Sequence, residues 1–176
     1  FLSSVISLFL LFAGAAFGGY GPMPDLQQLE NPKTNLASQI LSSDGVILGK
    51  YYFDDNRTPI EFEEIPKHMI DALIATEDER FYEHAGIDWR GTLRALIYFG
   101  KRGGASTITQ QLARQIFVGV RSRNKIKTIL QKAQEWVIAV QLEQRYTKKE
   151  IITMYLNKYD FGYQADGIRS AAKIFF

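Results

Sequence analysis

Apolar residues recur at three- and four-residue spacing through Ile65, Met69, Ile70, Leu73 and Ile74. This period predicts an amphipathic helix with Pro66 as its first helical residue. Extrapolated, the stripe runs through Glu77 to Phe81 and puts the Glu77 carboxylate on the inward face. Asp88 is placed to cap a second helix from Trp89 to Phe99, ended by Gly100. Ile126 to Arg145 reads as one long helix, and its Trp136 to Val140 stretch, apolar all round, predicts burial on every side. Thr147 and Glu150 have capping-box spacing ahead of Ile151, Ile152, Met154, Tyr155 and Leu156, which would pack inward. One more helix starts after Gly167.

The pattern differs before residue 66. Ile40-Leu41 and Val46-Ile47-Leu48 flank Asp44-Gly45, so Ser38 to Phe53 predicts a β-hairpin. Phe1 to Pro24 carries no charge, and Phe1 to Phe17 is dominated by Leu, Phe, Ile, Val, Ala and Gly. A spanning helix needs about 20 mostly apolar residues, so a transmembrane anchor over residues 1–20 is expected. A signal peptide, whose apolar core is about 7–15 residues, and a buried core helix are the alternatives. Pro22, Pro24 and Pro32 mark a linker over residues 21–36, leaving one domain at residues 37–176. The chain opens on Phe1 and closes on an uncapped apolar run, so truncation at both ends is expected.

Composition narrows the function. The chain has 176 residues, enough for a core, and a net charge of +2, which does not suggest a nucleic-acid binder. It has no cysteine and two histidines, His68 and His84, which argues against thiol chemistry and a zinc site.

Candidate chemistry concentrates in residues 75–86, where Glu77, Asp78, Glu79, Arg80, Glu83 and His84 are followed by Gly86. A carboxylate on a buried face must be paired or have its pKa raised, which is how a general base or acid is often made; a structural ion pair is the plainer reading of Glu77 or Asp78. Arg90 and Arg94 lie four apart, able to act together on an anion or to stay solvated. Lys101 to Gln111 is a basic, glycine-bearing loop entering a helix, with Thr107 and Gln110 at capping-box spacing. Free N–H groups at such a start favour phosphate, although glycine loops before helices are common. Ser106, Thr107, Thr109, Gln110, Gln111 and Gln115 suggest a wall facing a cleft. Arg121, Arg123, Lys125 and Lys127 lie among apolar residues, as a solvated face or a membrane-surface contact. Glu135, with Lys132 one turn earlier, is a second carboxylate where a core helix meets a polar region; an ordinary Lys-Glu pair is the alternative.

These segments together resemble the peptidoglycan glycosyltransferases (glycosyltransferase family 51) of class A penicillin-binding proteins and monofunctional transglycosylases. The likeness runs from about Ser38 to Phe176. Its motifs appear in order: Glu77-Asp78-x-x-Phe81-x-x-His84-x-Gly86, then Gly104-Ala105-Ser106-Thr107-Ile108-Thr109-Gln110-Gln111, then Lys132-x-x-Glu135, then Lys148-x-Glu150-Ile151-Ile152-x-x-Tyr155-Leu156-Asn157, and last Gly167-Ile168-x-x-Ala171-Ala172. Two positions depart from the family pattern: Ala105 stands where glycine is usual, and Gln131 where arginine is usual. A cation expected near the diphosphate is therefore absent at position 131. The chain ends just after the fifth motif, so the family's closing helices are expected to be missing.

The resemblance implies a mainly α, lysozyme-like glycosyltransferase domain with a small N-terminal β-hairpin and a transmembrane helix. It implies polymerisation of lipid II into β-1,4-linked glycan, with inversion and release of undecaprenyl diphosphate, in bacterial cell-wall synthesis. A lysozyme-like muramidase and an inactive membrane-anchored scaffold are the alternatives. Glu77 would be the general base, with Glu135 as the second catalytic residue, holding a divalent Mg²⁺ or Mn²⁺ or positioning the donor diphosphate. Asp78, Arg80, Phe81, His84, Ser106, Thr107, Gln110, Gln111, Lys132, Lys148 and Asn157 would line or support the substrate site. Asp78 and Arg80 would orient the first motif, His84 would be a hydrogen-bonding scaffold, and Phe117 to Lys127 would touch the membrane. Implied partners are lipid II, undecaprenyl-diphosphate-linked glycan, membrane lipid and a cell-wall synthesis complex. The expected location is the bacterial cytoplasmic membrane, single-pass, with the catalytic domain outside.

Overall fold

The structure is a computed structural model that describes residues 10–20, 23–24, 38–51, 58–98, 104–163 and 165–176. Residues 10–16 are helical. Among the described residues no helix is long and apolar enough to cross a membrane. The first nine residues of the expected anchor and most of the expected linker lie outside the described residues.

Strand β1 (Ser38–Leu41) pairs antiparallel with β2 (Ile47–Tyr51), Ser38 opposite Tyr51 and Leu41 opposite Ile47, with an irregularity between Ile40 and Leu41. The turn places Gly45 at φ +83°, where a Cβ would be strained. Ile40, Leu41, Val46 and Leu48 are exposed, so this ladder stands off the core.

The rest is mainly helical. Helices α1 (Lys67–Glu77), α2 (Trp89–Ile97), α3 (Ile108–Ala113), α4 (Lys125–Arg145), α5 (Lys148–Lys158) and α6 (Ile168–Phe175) follow in order. A wider π-turn, Arg114–Val118, extends α3. The core forms where α3 packs between α4 and α5: Ile108, Leu112, Ile138, Leu142, Ile151, Ile152 and Leu156 are all essentially inaccessible. Burying a side chain of this size contributes about 1.5–3 kcal/mol. The capping box predicted from Thr147 and Glu150 closes in both directions and fixes where α5 starts.

Three helix readings need correction. The α1 stripe does not continue to Phe81. The helix ends at Glu77, Asp78 takes φ −159° and ψ 73°, and Phe81 reaches the core from a separate 3-10 turn, Phe81–Glu83. The break exchanges the two carboxylates: Asp78 is buried and Glu77 is exposed. In α4, Ile138 and Ala139 are buried, but Trp136, Val137 and Val140 are only half-buried, because they border an apolar groove with Phe12 and Trp89. Helix α2 ends at Ile97; Phe99 and Gly100 lie outside the described residues.

Candidate active site

The turn after α1 is built around Asp78. Its carboxylate accepts from His84 Nε2 at 3.0 Å and from the Ile108 backbone N–H at 3.1 Å. His84 Nδ1 accepts the Gly86 N–H at 3.2 Å, so the proton shared with Asp78 sits on Nε2. Gly86 lies flat against α4: at φ +88°, an added Cβ would come 2.9 Å from the Ala139 backbone. Its carbonyl accepts from Thr107 Oγ1 at 2.7 Å and Gln110 Nε2 at 3.3 Å. The first motif is thus bolted to the second through buried polar groups, each of them satisfied.

This changes the reading of the glycine-bearing loop. The start of α3 already holds an internal anion, Asp78, on Ile108 N–H, and Thr107 Oγ1 caps Gln110 N–H at 3.1 Å. These N–H groups are committed to the protein. Residues Lys101 to Gly103 lie outside the described residues.

Glu77, displaced outward by the end of α1, faces a cleft of about 320 Å³ whose walls include Arg80, Asp88, Arg94, Ser106 and Gln111. Gln111 Nε2 donates to Glu77 Oε2 at 2.8 Å, and Gln111 Oε1 accepts the Tyr155 hydroxyl at 3.2 Å. Burial, with the nearby Glu77 charge adding to it, pushes the Tyr155 phenol well above its ordinary pKa. Arg80 pairs with Asp88 at 2.5 Å. Burial raises the Asp88 carboxyl, but Arg80 and the Gly91 N–H outweigh it and hold the pKa below its ordinary value. Arg90 and Arg94 do not act together, since Arg94 lines the cleft and Arg90 is solvated near Glu83.

Next to this cleft stands the second carboxylate. Glu135 is buried on α4, and Lys132 Nζ reaches its Oε2 at 2.9 Å. The same ammonium donates to Ser106 Oγ and Gln110 Oε1, both at 2.9 Å. Ser106 therefore joins the two carboxylate sites. Burial lowers the Lys132 pKa, although Glu135 opposes the shift. Arg121 approaches Glu135 Oε2 at 3.8 Å, unlike Arg123 and Lys125, which are exposed and have no partner on Glu135. Glu135 Oε1 is buried without a hydrogen-bond partner.

Several expected site residues serve the framework. Phe81 is fully buried under Lys148, whose Nζ stands 4.2 Å from the ring centroid. Lys148 does not enter the cleft, because its ammonium donates to His84 O at 2.7 Å and Glu143 Oε1 at 2.8 Å. Asn157 does not either: its amide clasps Ile60, taking the N–H at 2.8 Å and giving to the carbonyl at 2.9 Å. The sequence reading missed Tyr155, Asp88 and Glu143 as site or support residues. Tyr155 looked like a core position by period, and only its hydroxyl distinguishes it.

The family model described as Transglycosylase matches residues 44–176. The chain belongs to the transglycosylase family. It is 39% identical over 184 residues to penicillin-binding protein 1A of Escherichia coli (strain K12), covering 100% of this chain and 21% of that protein. It is 38% identical over 182 residues to penicillin-binding protein 1A of Vibrio cholerae, covering 98% of this chain and 21% of that protein. It is 42% identical over 144 residues to penicillin-binding protein 1F of Bacillus subtilis (strain 168), covering 80% of this chain and 19% of that protein. The chain spans about a fifth of the length of these relatives.

Among the described residues, no group of three or more His, Asp or Glu side chains could hold a metal. Glu135 offers one free oxygen beside two cations. A divalent ion bound by protein alone needs more oxygen ligands. Among the described residues, the side chains around Glu135 do not fit a Mg²⁺ or Mn²⁺ site held by protein alone.

Proposed function

We propose that this domain polymerises lipid II, joining the 4-hydroxyl of one saccharide unit to the anomeric carbon of another held on undecaprenyl diphosphate. The observation that carries the reading is the exposed Glu77 carboxylate, held by Gln111 in a cleft that Ser106 links to the Lys132–Glu135 pair. A sugar hydroxyl is a poor nucleophile, and a positioned base contributes about 10²–10⁴-fold. Glu77 would take the hydroxyl proton as the oxygen attacks the anomeric carbon. The bond from that carbon to the diphosphate breaks on the opposite side, giving inversion. The departing diphosphate carries the electron pair away and needs charge neutralisation more than a proton. Lys132 supplies a cation for this, held toward the cleft by Ser106 and Gln110.

The family match does not favour the muramidase or scaffold readings. A lysozyme-like core, a membrane anchor over residues 1–20 and action on the outer face of a bacterial membrane complete the proposal. The test is lipid II polymerisation in detergent by the whole protein and its Glu77→Gln variant, both shown to fold by circular dichroism. Glycan strands from the parent and a loss of about 10²-fold or more in the variant are expected. Equal activity would remove Glu77 as the base.

A further inference from the structure

Glu135 gathers cations from separate parts of the chain. Lys132 reaches its Oε2 from one turn away on α4, and Arg121 approaches the same oxygen from the loop after Gly119. The charges of Arg121 and Arg114 both act on the Lys132 ammonium. One buried carboxylate is thus opposed by two cations, and the balance of charge in this corner is positive. Such a corner favours an anion.

Arg121 belongs to none of the five sequence motifs, and its position has a specific cause. The Gln131 amide grips the peptide groups on both sides of it. Its Oε1 accepts the Ser122 N–H at 2.9 Å, and its Nε2 donates to the Val120 carbonyl at 3.1 Å. Thr128 Oγ1 adds a bond to the Ser122 carbonyl at 2.9 Å. The loop is thereby fastened to the first turns of α4 and cannot carry its arginine elsewhere without breaking these bonds. The guanidinium itself is not locked. At 3.8 Å from Glu135 it is beyond hydrogen-bond reach, and its side chain is about half exposed. It can turn to an entering phosphate oxygen, which a guanidinium meets with paired N–H groups.

We propose that Arg121 binds the diphosphate of the donor alongside Lys132, and that Gln131 is its positioning residue. Position 131 thus provides no cation of its own; its amide delivers one from the neighbouring loop. This inference rests on the polymerase reading for the identity of its ligand, and on the Arg121–Glu135–Gln131 geometry for the existence of an anion site.

The test uses the whole protein in detergent, so that charge at a lipid surface does not interfere. Lipid II polymerisation is measured for the parent, Arg121→Ala, Arg121→Lys, Gln131→Ala and the Arg121→Ala/Gln131→Ala pair. Lys67→Ala, which breaks only an exposed ion pair with Asp71, controls for net charge. Arg121→Ala should raise KM for lipid II about tenfold, the loss of one charge-assisted contact. Inhibition by inorganic diphosphate should weaken by a similar factor. Arg121→Lys should recover most of both effects, and Lys67→Ala should match the parent. Gln131→Ala should reproduce part of the KM rise but add nothing to Arg121→Ala, because both act through one contact. Unchanged KM and unchanged inhibition in Arg121→Ala would overturn the proposal. An effect on lipid II without one on inorganic diphosphate would also overturn it, by placing Arg121 on another part of the donor. Full additivity would remove the positioning role of Gln131. A folded parent inert on lipid II would sink the polymerase reading instead. Calorimetric titration with inorganic diphosphate then decides the anion site: weaker binding in Arg121→Ala supports it, and equal or absent binding in both proteins overturns it.

Discussion

The amide of Gln111 donates to the Glu77 carboxylate across 2.8 Å, and its other end accepts the Tyr155 hydroxyl at 3.2 Å. A carboxylate can only accept, so the NH₂ of the amide must face Glu77 and its carbonyl must face Tyr155. The Tyr155 hydroxyl must then be the donor, and its raised pKa keeps that proton in place. A core helix, α5, thereby sets the orientation of a cleft carboxylate it does not touch.

Replacing Tyr155 with Phe removes the group that fixes which way the Gln111 amide points. Gln111 is partly exposed, so water can replace the lost donor, and the stability cost should be small, about 0.5–1.5 kcal/mol. The effect should appear in kcat, falling about 3–10-fold as Glu77 loses a fixed orientation, while KM for lipid II stays within about twofold. Steady-state kinetics with a urea melt separates the two. A variant with parental kcat would show that the Tyr155 hydroxyl does not govern Glu77.

Asp78 should act on stability first. In Asp78→Asn the new amide can still accept the Ile108 N–H, but its NH₂ would confront the His84 Nε2 proton. His84 must then move its proton to Nδ1 and abandon the Gly86 N–H, or leave the clash. Either outcome leaves a buried group unsatisfied, at about 1–3 kcal/mol. Denaturant unfolding gives the cost, and ¹⁵N imidazole shifts report the tautomer. An unchanged tautomer with unchanged stability would contradict the network.

Lys132 is predicted to set an alkaline limit on activity. Burial, despite Glu135, holds its pKa below the ordinary lysine value, so its charge is lost at a lower pH than for a free lysine. Once neutral it no longer offers a cation to the diphosphate, so kcat/KM should fall as pH rises through that lowered pKa. Lys132→Arg keeps its charge throughout, since arginine does not titrate in proteins. Its remaining activity should show the alkaline limb displaced upward or absent. A limb at the same pH in parent and variant would assign it to another group.

Much of the fold could be read directly from the sequence. The Thr147–Glu150 box, the extent of α4 and the apolar positions of α5 follow from local chemistry, and these elements form as their residues dictate. The failures have one physical source, namely contacts between segments distant in sequence. The Glu77 stripe could not show that α1 stops where Asp78 is needed at the start of α3. Lys148 and Asn157 are implied at the substrate site by the resemblance alone, and nothing local reveals that one stands over Phe81 and the other clasps Ile60. Position 131 does lack a cation, as its residue type shows, but its two bonds to a loop about ten residues earlier in the chain have no local signature.

The Arg80–Asp88 pair gives the most direct acid-side test. Asp88 has its pKa lowered in the folded protein, so the folded state favours the ionised form. Its contribution to stability is complete above the unfolded carboxylate pKa, near 3.9. It is lost as pH falls through the lower, folded value. The side chains are only 22% and 13% exposed, so solvent screens the pair weakly. Asp88→Asn should therefore cost about 1–3 kcal/mol at neutral pH, since Arg80 loses its charged acceptor. The gap between parent and variant should close as pH falls through that lowered value and Asp88 protonates in the parent. Unfolding free energies measured from neutral to acid pH for both proteins check this. A gap that persists unchanged at low pH would mean that Asp88 stabilises the fold by shape and neutral hydrogen bonding rather than by charge.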